Sequence, residues 1–519
     1  MPRLGRVQGP SRGDVIAGIT VALVLVPQSL AYAELAGMPV VNGLYTAAVA
    51  TVAAGLIGSS PYLQTGPTAL TSLLTFGALA PIAAAESPSF VVHAALLALL
   101  VGVARVAIGA LRWGVLAYLM SQPVVSAFTV AAAILIVASQ VPALMDVSVH
   151  HANPMHAASA ALSRPGDWNP QAILVGVITI AIVIGGRRWS PRFPGALVAS
   201  VLALGLSAPG LLTLTEVGRI PSGLPPLNLA LPWRSFGDLV VPALVIALVG
   251  FAEPASIARR YAAQDRKSWD PNKEFIGQGL ANLAAGAFGG HPAGGSFSRS
   301  ALNRLSGART RWSGVISGVT VLAIMPVASV LSQLPKAVLA GLVISATVSL
   351  LELRPFREAW RCSRPQFFVA VPTFVATIAS APRVERGVIV GLVLALAVHL
   401  WRELRLEVEV WTSGRVLHVR PQGVLYFGSA PSLETRVMSL VAEDPSVRSV
   451  VLHLDQVGRL DFTGALVLRS LIQDMRAAQT DVRIEGTQPQ ARRLVEAVLG
   501  QQATDTPPRD PEPTPTPIS

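Results

Sequence analysis

The sequence has little charge and almost no cysteine. Asp, Glu, Lys and Arg make up only 13% of its 519 residues, against roughly 25% in soluble domains. The single cysteine, Cys362, excludes a disulfide within the chain. Hydrophobic residues make up 52% of the chain, and the mean hydropathy is +0.54. Mainly apolar runs such as residues 13–26, 94–109 and 388–400 therefore predict a protein that uses the lipid bilayer as its solvent.

Motifs for catalysis, metals and cofactors are also missing from the sequence. We find no nucleophile paired with a base, no phosphate-binding glycine loop and no zinc-ligand set, so neither an enzyme nor a cofactor is predicted. His150, His151 and His156 have no cysteine or acidic cluster at ligand spacing, which favours a solvated loop over a metal site. Residues 1–12 lead straight into an apolar segment without a small-residue cleavage site, so no cleavable signal peptide is expected.

Positive charge is concentrated where the apolar segments end. The net charge is +11, and this distribution is the positive-inside pattern of membrane proteins. It predicts a multi-pass protein of the cell (inner) membrane with both termini in the cytoplasm. The basic residues are then expected to lie at the surface of the lipid bilayer, and no nucleic acid is expected to bind them. The basic clusters lie at residues 3–12, 187–192, 259–267, 304–311 and 354–364, and the predicted external loops are 140–169 and 207–236.

Two polar patches lie among the membrane-length apolar segments. They are residues 64–70, QTGPTAL, and residues 294–300, GGSFSRS. Lipid tolerates irregular backbone only where protein or a water-filled cavity covers it. Each patch leads into a short apolar helix, predicted over residues 69–79 and 301–305, whose N-terminus carries partial positive charge and free N–H donors. Interrupted segments at corresponding places in two halves are typical of a transporter's binding site, so the patches predict an anion carrier.

The two halves of the chain resemble each other. Gly13-Asp14-Val15 and Gly237-Asp238-Leu239 each open an apolar segment, with predicted interruptions at residues 26–29 and 251–254. Hydropathy indicates about fourteen membrane elements, or seven in each half. Because seven is an odd number, the second half is inverted relative to the first. The predicted repeats cover residues 13–206 and 237–405.

From residue 406 the pattern changes to alternation and charge. Short β-type runs that alternate with amphipathic helices predict a small α/β domain. The predicted strands are 408–411, 416–419, 424–427, 449–454 and 482–485, and the predicted helices are 432–441, 463–478 and 489–498. The predicted organisation is a cytoplasmic segment 1–12, a transporter domain 13–405, an α/β domain 406–500 and a disordered, Pro-rich tail 501–519.

Several long motifs carry a resemblance to a known family. Residues 12–45, RGDVIAGITVALVLVPQSLAYAELAGMPVVNGLY, resemble the opening signature of the SulP family of sulfate permeases and related anion transporters. QTGPTAL resembles the family's third-helix motif, and GGHPAGGSFSRSALN its tenth-helix motif. LDFTG at residues 460–464 resembles part of the STAS domain that these transporters carry in the cytoplasm.

The resemblance implies a fold and a mode of action. The fold is an α-helical membrane protein of fourteen helices in two inverted seven-helix repeats, with a C-terminal cytoplasmic α/β STAS domain. A core domain carries the substrate and slides like an elevator against a gate domain. Family members carry sulfate, bicarbonate, chloride, oxalate or dicarboxylates, and many are homodimers.

The resemblance also implies a binding pocket at the two patches. In the family a serine–arginine pair lines the anion pocket, and Ser298 and Arg299 stand at that place. An arginine within a membrane is costly and usually functional, and it can fork onto carboxylate or oxyanion oxygens. The alternative is that Arg299 pairs with a structural carboxylate or points along the core–gate interface. Ser296 and Phe297 are expected to supply backbone donors and an apolar wall.

Further pocket residues come from the first patch and the first helix. Thr68 and Ala69 open the half-helix opposite the serine–arginine pair. Gln28 and Tyr32 resemble the family's polar and aromatic pocket residues, with hydrogen bonding between helices as the alternative. The positions predicted to be structural are Thr65, Gly66, Pro67, Gly294 and Gly295.

Two carboxylates are candidates for coupling transport to an ion. Glu253, at the predicted interruption of its helix, would let a proton move with the substrate; a static ion pair with Arg299 is the alternative. In sodium-coupled family members an acidic residue at this place is assisted by a hydroxyl four positions later. Here Ile257 stands at that position, so H+ is favoured over Na+. Glu34 is the second candidate, with a satisfied polar contact near the gate as the alternative.

The C-terminal domain offers one regulatory candidate. Thr463 resembles a hydroxyl that is phosphorylated in related soluble regulators, and a cytoplasmic partner of the STAS domain would act through such a site. The alternative is a plain helix N-cap formed by Asp461 or Thr463.

Together these features predict a secondary active anion transporter, with proton-coupled symport of a small anion such as a dicarboxylate, sulfate or bicarbonate. The first alternative is an uncoupled anion channel or an anion exchanger. The second is a membrane-anchored signalling protein that acts through the STAS domain. A nucleobase carrier shares the repeat architecture, but it is not expected to have an arginine in the pocket or an appended domain of this type.

Overall fold

Helices fill the chain between Arg12 and Glu403. The computed structural model describes residues 9–118, 121–149, 151–207, 213–404 and 406–499. The predicted N-terminal segment up to residue 8, His150 and the predicted disordered tail 501–519 lie outside the described residues. By its internal contacts the chain divides into two units, residues 1–395 and residues 396–519.

Sixteen helices and two short strands lie between Arg12 and Glu403 in the part of the chain that the structure describes. The first half contains α1 (Arg12–Leu35), α2 (Val40–Ile57), β1 (Thr65–Gly66), α3 (Ala69–Leu79), α4 (Pro88–Ala110), α5 (Gln122–Met145), α6 (Pro154–Leu162), α7 (Pro170–Trp189) and α8 (Gly195–Ser207). The second half contains α9 (Phe236–Gln264), α10 (Pro271–Ala287), β2 (Gly294–Gly295), α11 (Phe297–Leu305), α12 (Trp312–Ile324), α13 (Lys336–Thr347), α14 (Arg354–Cys362), α15 (Arg364–Ala379) and α16 (Glu385–Glu403).

Many of these helices begin where the sequence supplies a cap. Ser11 caps α1 and forms a reciprocal capping box with Asp14. Asn169 caps α7 and Asp270 caps α10, each with proline at the start of the helix, where a missing N–H costs least. The caps satisfy N–H groups that no residue within the helix can accept.

Fourteen of the helices form the two predicted repeats of seven. Helices α6 and α14 contain nine residues each, which is about 14 Å of helix, and they serve as connections. Helix α11 is equally short, but it is the half-helix that follows β2 and is counted in its repeat. The first repeat is α1–α5, α7 and α8, and the second is α9–α13, α15 and α16. Within the described residues, eight helices are long and apolar enough to cross a membrane by length and composition. The prediction of a fourteen-helix membrane domain is confirmed.

Helix packing obeys the symmetry between the repeats. Helix α4 packs on α10, and their counterparts α12 and α2 also pack together. Helix α1 packs on α12 as α9 packs on α4, and α5 packs on α15 as α13 packs on α7. The repeats therefore interlock, with α1–α4 and α9–α12 forming the core, and α5, α7, α8, α13, α15 and α16 forming the gate.

The predicted interruptions of the first helix in each repeat are wrong. Pro27 lies inside the continuous helix α1, and Pro254 lies inside the continuous helix α9. A proline removes one N–H from the helix ladder, and helices packed in a membrane protein tolerate this because neighbouring groups satisfy the freed carbonyl. Both prolines are buried against other helices. Glu253 therefore lies within a helix, and not at a break.

The half-helix after the second patch also differs from its prediction. Helix α11 begins at Phe297 and not at residue 301, because the Ser296 side chain accepts a hydrogen bond from the Arg299 N–H and caps the helix. Ser298 and Arg299 therefore lie in the first helical turn. The first half-helix, α3, has the predicted bounds, with Thr68 as its cap.

The predicted external loop 140–169 contains more helix than expected. Helix α5 continues to Met145, and α6 occupies part of the remainder. In the second loop, where residues 208–212 are not described, the Val217 N–H donates to the Leu334 carbonyl at 2.9 Å. That bond fixes the described part of the loop beside the start of α13.

The C-terminal unit contains the predicted α/β domain. A sheet of order β3-β4-β5-β7, with β6 on β4, has β3 antiparallel to β4 and its other pairs parallel. Its core contains Leu417, Val419, Val450 and Leu468. The elements are β3 (Glu407–Ser413), β4 (Val416–Leu425), α17 (Ala430–Glu443), β5 (Ser449–His453), β6 (Val457–Leu460), α18 (Phe462–Ala477), β7 (Asp481–Glu485) and α19 (Pro489–Leu499).

Two strand predictions in this domain are wrong. Residues 416–419 and 424–427 belong to one strand, β4, which ends at Leu425. Pro421, Gln422 and Gly423 lie between the two predicted strands, and a register shift between Gly423 and Val424 keeps them within the one strand. Strand β6 was not predicted, because its four residues are too few to show an alternation.

Asp461, and not Thr463, caps α18. The Asp461 carboxylate accepts a hydrogen bond from the Gly464 N–H at 2.6 Å, and Thr463 is exposed. We expect Asp461→Ala to destabilise the C-terminal domain by about 1 kcal/mol, which lowers its melting temperature by roughly 4–8 °C. Thr463→Val should cost less than about 0.5 kcal/mol. Thermal unfolding of the two variants measures both, and equal effects would contradict the capping assignment.

Candidate functional site

The two polar patches meet in the core. Strands β1 and β2 pair antiparallel, with Thr65 opposite Gly295 and Gly66 opposite Gly294. The Ser296 N–H donates to the Gln64 carbonyl at 3.0 Å. These bonds satisfy irregular backbone inside the protein, as a membrane interior requires. They also hold the N-termini of α3 and α11 side by side.

Several amide groups at these N-termini have no protein acceptor. On α3 the Thr71 N–H donates to the Thr68 hydroxyl at 3.4 Å. On α11 the Phe297 N–H donates to Oε1 of Glu253 at 3.1 Å. Within the described ranges, the N–H groups of Ala69, Leu70 and Ser298 have no acceptor. Free amides at two adjacent helix N-termini favour a negative charge between them.

Arg299 lies beside these amides and is buried, with 1% of its surface exposed. Its Nη2 donates to the Pro67 carbonyl at 2.9 Å, and its Nη1 donates to Oε1 of Gln28 at 3.4 Å. Its Nε is buried without a partner among the described residues. In that part of the chain no carboxylate lies within 4.0 Å of it. Within the described residues, Arg299 therefore does not form the direct ion pair with a carboxylate that was the predicted alternative.

A cavity of about 40 Å³ adjoins Arg299. It lies between α1 and α11 of the core and α7 and α8 of the gate. Of the predicted pocket residues, Gln28, Ser298 and Arg299 line it. The other lining residues are Val24, Val183, Arg187, Pro191, Phe193, Gly195, Ala196 and Leu302.

Other predicted pocket residues lie near the cavity without lining it. Tyr32 is buried on α1, one helical turn beyond Gln28. The Phe297 ring is 40% exposed and lies away from the cavity wall. Thr68 and Ala69 are buried at the start of α3. The assignment of these residues to the anion pocket stays a prediction.

The positions predicted to be structural build the crossing between the half-helices. Thr65 accepts a hydrogen bond from Gln278 Nε2 at 2.7 Å, and Pro67 offers its carbonyl to Arg299. A Cβ atom on Gly294 would lie 3.2 Å from the Thr71 side chain. At Gly295 it would lie 2.8 Å from the Leu63 side chain. A side chain at either position would therefore crowd these neighbouring side chains, and glycine avoids that contact.

The two candidate coupling carboxylates lie in different surroundings. Glu253 accepts the backbone N–H of Phe297 at 3.1 Å. Glu34 on α1 lies 3.6 Å from Nζ of Lys336 at the start of α13, which links core to gate. That ion pair matches the alternative interpretation of Glu34 as a satisfied polar contact. Ile257, four residues after Glu253, is a buried apolar residue whose side chain offers no oxygen to a sodium ion.

The sequence analysis overlooked a second buried arginine. Arg105 on α4 is fully buried. It donates to three carbonyls, those of Ile246 at 3.1 Å, Ala247 at 3.1 Å and Ala293 at 3.0 Å. It thereby ties α4 to α9 and to the residue before β2. Its position inside the apolar run 94–109 was a usable signal, because an ionised residue within a membrane segment usually has a specific role.

The geometry is suited to holding a small anion reversibly. Arg299 and Ser298 line the cavity, and the free N–H groups of Ala69 and Leu70 at the start of α3 lie near it. Fixed donors of this kind replace the hydration shell of an anion and cost little reorganisation. Within the described residues we find no cluster of three or more side chains that could hold a metal ion.

Two protein-family models match this chain. Residues 12–373 match the sulfate permease family, and residues 407–499 match the STAS domain. A probable sulfate transporter of Mycobacterium tuberculosis is 31% identical, over 91% of this chain and 90% of its own length. The sodium-independent sulfate anion transporter of Bos taurus is 28% identical, over 94% of this chain and 85% of its own length. Both relatives are named as transporters and not as enzymes.

Solved structures show the same fold. A murine anion transporter, Solute Carrier 26 family member A9 in the inward-facing state, has a TM-score of 0.87 at 19% identity, over 95% of this chain and 88% of the other. The transmembrane domain of a cyanobacterium bicarbonate transporter has a TM-score of 0.64 at 25% identity, over 74% of this chain and 97% of the other. The predicted fold of two seven-helix repeats and a STAS domain is confirmed, and the chain belongs to the sulfate permease family.

Proposed function

We propose that this protein is a secondary active transporter that moves a small anion together with a proton. One observation carries the proposal: Arg299, buried and without a carboxylate partner in the described chain, keeps a free Nε beside the free amides of two half-helices. A buried cation with no counter-ion in direct contact is costly, and a bound anion would lower that cost. An anion site at the interface of core and gate is what a carrier requires.

The names of the relatives support sulfate as the first substrate to test. Two relatives are named sulfate transporters, and one solved neighbour is named a bicarbonate transporter. A compact oxyanion also suits a cavity of about 40 Å³, which is room for roughly three water-sized spheres. Bicarbonate and C4-dicarboxylates are the other candidates.

We propose an elevator-type movement of the core against the gate. Gln28, Ser298 and Arg299 belong to the core, whereas Val183 and Ala196 on the opposite wall belong to the gate. The β1–β2 pairing supports a core that carries the site as a unit. The carrier is proposed to lie in the cell membrane as a homodimer, with both termini and the STAS domain in the cytoplasm. The exposed Thr463 and a partner protein of that domain are proposed to regulate it.

Glu253 is the proposed proton carrier. Its carboxylate bonds to the first N–H of the helix that bears Arg299, so its protonation alters the charge next to the anion. The Ile257 side chain supplies no oxygen for sodium, which favours H+ over Na+. Glu34, already paired with Lys336, is the weaker candidate for coupling.

Uptake into proteoliposomes tests the proposed function. Labelled sulfate, bicarbonate and succinate should be offered with and without an inward proton gradient, and with and without sodium. We expect accumulation of at least one anion, strengthened by the proton gradient and indifferent to sodium; protein-free liposomes are the control. Flux that follows the anion gradient alone would favour a channel or exchanger. Absence of any anion flux would favour a signalling protein that acts through its STAS domain.

A further inference from the structure

A second arginine, from the gate, reaches the same cavity as Arg299. Arg187 lies in the last turn of α7 and lines the cavity wall opposite the core. It is half-buried. In the described part of the chain it makes no hydrogen bond or ion pair with protein. The next residue, Arg188, is exposed and does not line the cavity.

Two other arginines of the core have protein partners. Arg304, at the end of α11, pairs with Asp265 at 2.7 Å. Arg105 is held by three backbone carbonyls. Arg187 thus differs from these two arginines because it lines the cavity and has no acceptor among the described protein groups.

The charge around this cavity is unbalanced. Its lining includes two guanidinium groups, Arg187 and Arg299, and no carboxylate. Two like charges at one cavity repel each other, and the repulsion is stronger where protein replaces water. A singly charged anion can neutralise only one of them, whereas a doubly charged anion can neutralise both.

We propose that Arg187 is a specificity-determining residue that makes the site prefer doubly charged anions over singly charged ones. The proposal rests on the proposed anion transport, because it assigns a role within that same site. Arg299 belongs to the core and binds the anion in either case. Arg187 belongs to the gate and supplies the second positive charge in the conformation that the structure shows.

Equilibrium binding of sulfate and chloride to the purified full-length protein tests this assignment. Isothermal titration calorimetry should be carried out on the parent, Arg187→Gln, Arg187→Lys and Arg188→Gln. We expect Arg187→Gln to weaken sulfate binding about tenfold, the scale of one lost charged contact, and to change chloride binding less than about twofold. Arg187→Lys should keep most of the preference for sulfate because it keeps the charge. Arg188→Gln should match the parent.

The outcomes separate this proposal from the transport function. Equal losses of sulfate and chloride binding in Arg187→Gln, or no loss of either, would overturn the role of Arg187 while leaving anion binding by the parent intact. A parent that binds chloride more tightly than sulfate would also overturn it. A parent that binds no anion, including the bicarbonate and succinate of the uptake experiment, would overturn the proposed function itself.

Discussion

Replacing Arg299 by alanine is expected to weaken anion binding about a hundredfold. Removing one member of a buried, hydrogen-bonded charge pair costs about 3 kcal/mol, and each 1.4 kcal/mol corresponds to about a tenfold change in affinity. The variant loses the guanidinium, whose Nε has no partner among the described residues and whose Nη2 holds the Pro67 carbonyl at 2.9 Å. Calorimetric titration with sulfate measures the affinity, and proteoliposome uptake measures the accompanying loss of transport.

Arg299→Lys is the matched control for this prediction. Lysine keeps the positive charge but lacks the planar fork of donors that lets arginine bond to the Pro67 carbonyl and to the anion together. The anion affinity of Arg299→Lys should therefore lie between those of the parent and Arg299→Ala. Size-exclusion profiles and melting temperatures establish that both variants are folded. An alanine variant that binds and transports anions like the parent would remove Arg299 from the site.

Replacing Glu253 by glutamine is expected to abolish the response of uptake to a proton gradient. The glutamine amide oxygen can still accept the Phe297 N–H, which donates at 3.1 Å in the parent, but the side chain no longer takes up a proton. One pH unit stores about 1.4 kcal/mol per proton and can drive about a tenfold accumulation of anion. Glu253→Gln should equilibrate the anion without accumulating it. Uptake at equal and unequal pH on the two sides of the membrane measures this difference.

Glu34→Gln serves as the second carboxylate variant. Glu34 is paired with Lys336 across the core–gate contact, so its neutralisation should alter the rate of uptake but keep the dependence on the proton gradient. If Glu34→Gln loses that dependence and Glu253→Gln keeps it, the coupling roles are reversed. If both keep it, the transporter does not couple through either carboxylate.

The membrane fold could be predicted from the sequence because helices in a bilayer require long apolar segments, which are easy to recognise. Apolar runs and alternating basic clusters predicted the helices, and the two glycine-containing patches predicted the half-helices. Thr68 was a sound start signal for α3, since a threonine before an apolar run is a typical N-cap. The start of α11 was misjudged because Arg299 interrupts the apolar pattern, although Ser296 caps the helix there.

The errors at Pro27 and Pro254 and the missing signal for Arg187 share one physical origin. Pro27 and Pro254 were interpreted as helix breaks, but packing against neighbouring helices keeps α1 and α9 continuous. Local sequence does not contain that information. For the same reason the contribution of Arg187 could not be predicted: its place among the basic residues at the end of α7 indicated only topology. The cavity that it shares with Arg299 arises from contacts between residues far apart in the chain.

The two-residue ladder between β1 and β2 makes each repeat dependent on the other. In the described chain, Thr65 and Gly66 of the first repeat pair as a strand with Gly295 and Gly294 of the second. A half-length chain containing a single repeat would leave this backbone edge unmatched inside the bilayer, where each unsatisfied group costs several kcal/mol. Such a chain could persist only by associating with a second copy of opposite orientation. The covalent duplication therefore ensures that a complete binding site forms within a single polypeptide.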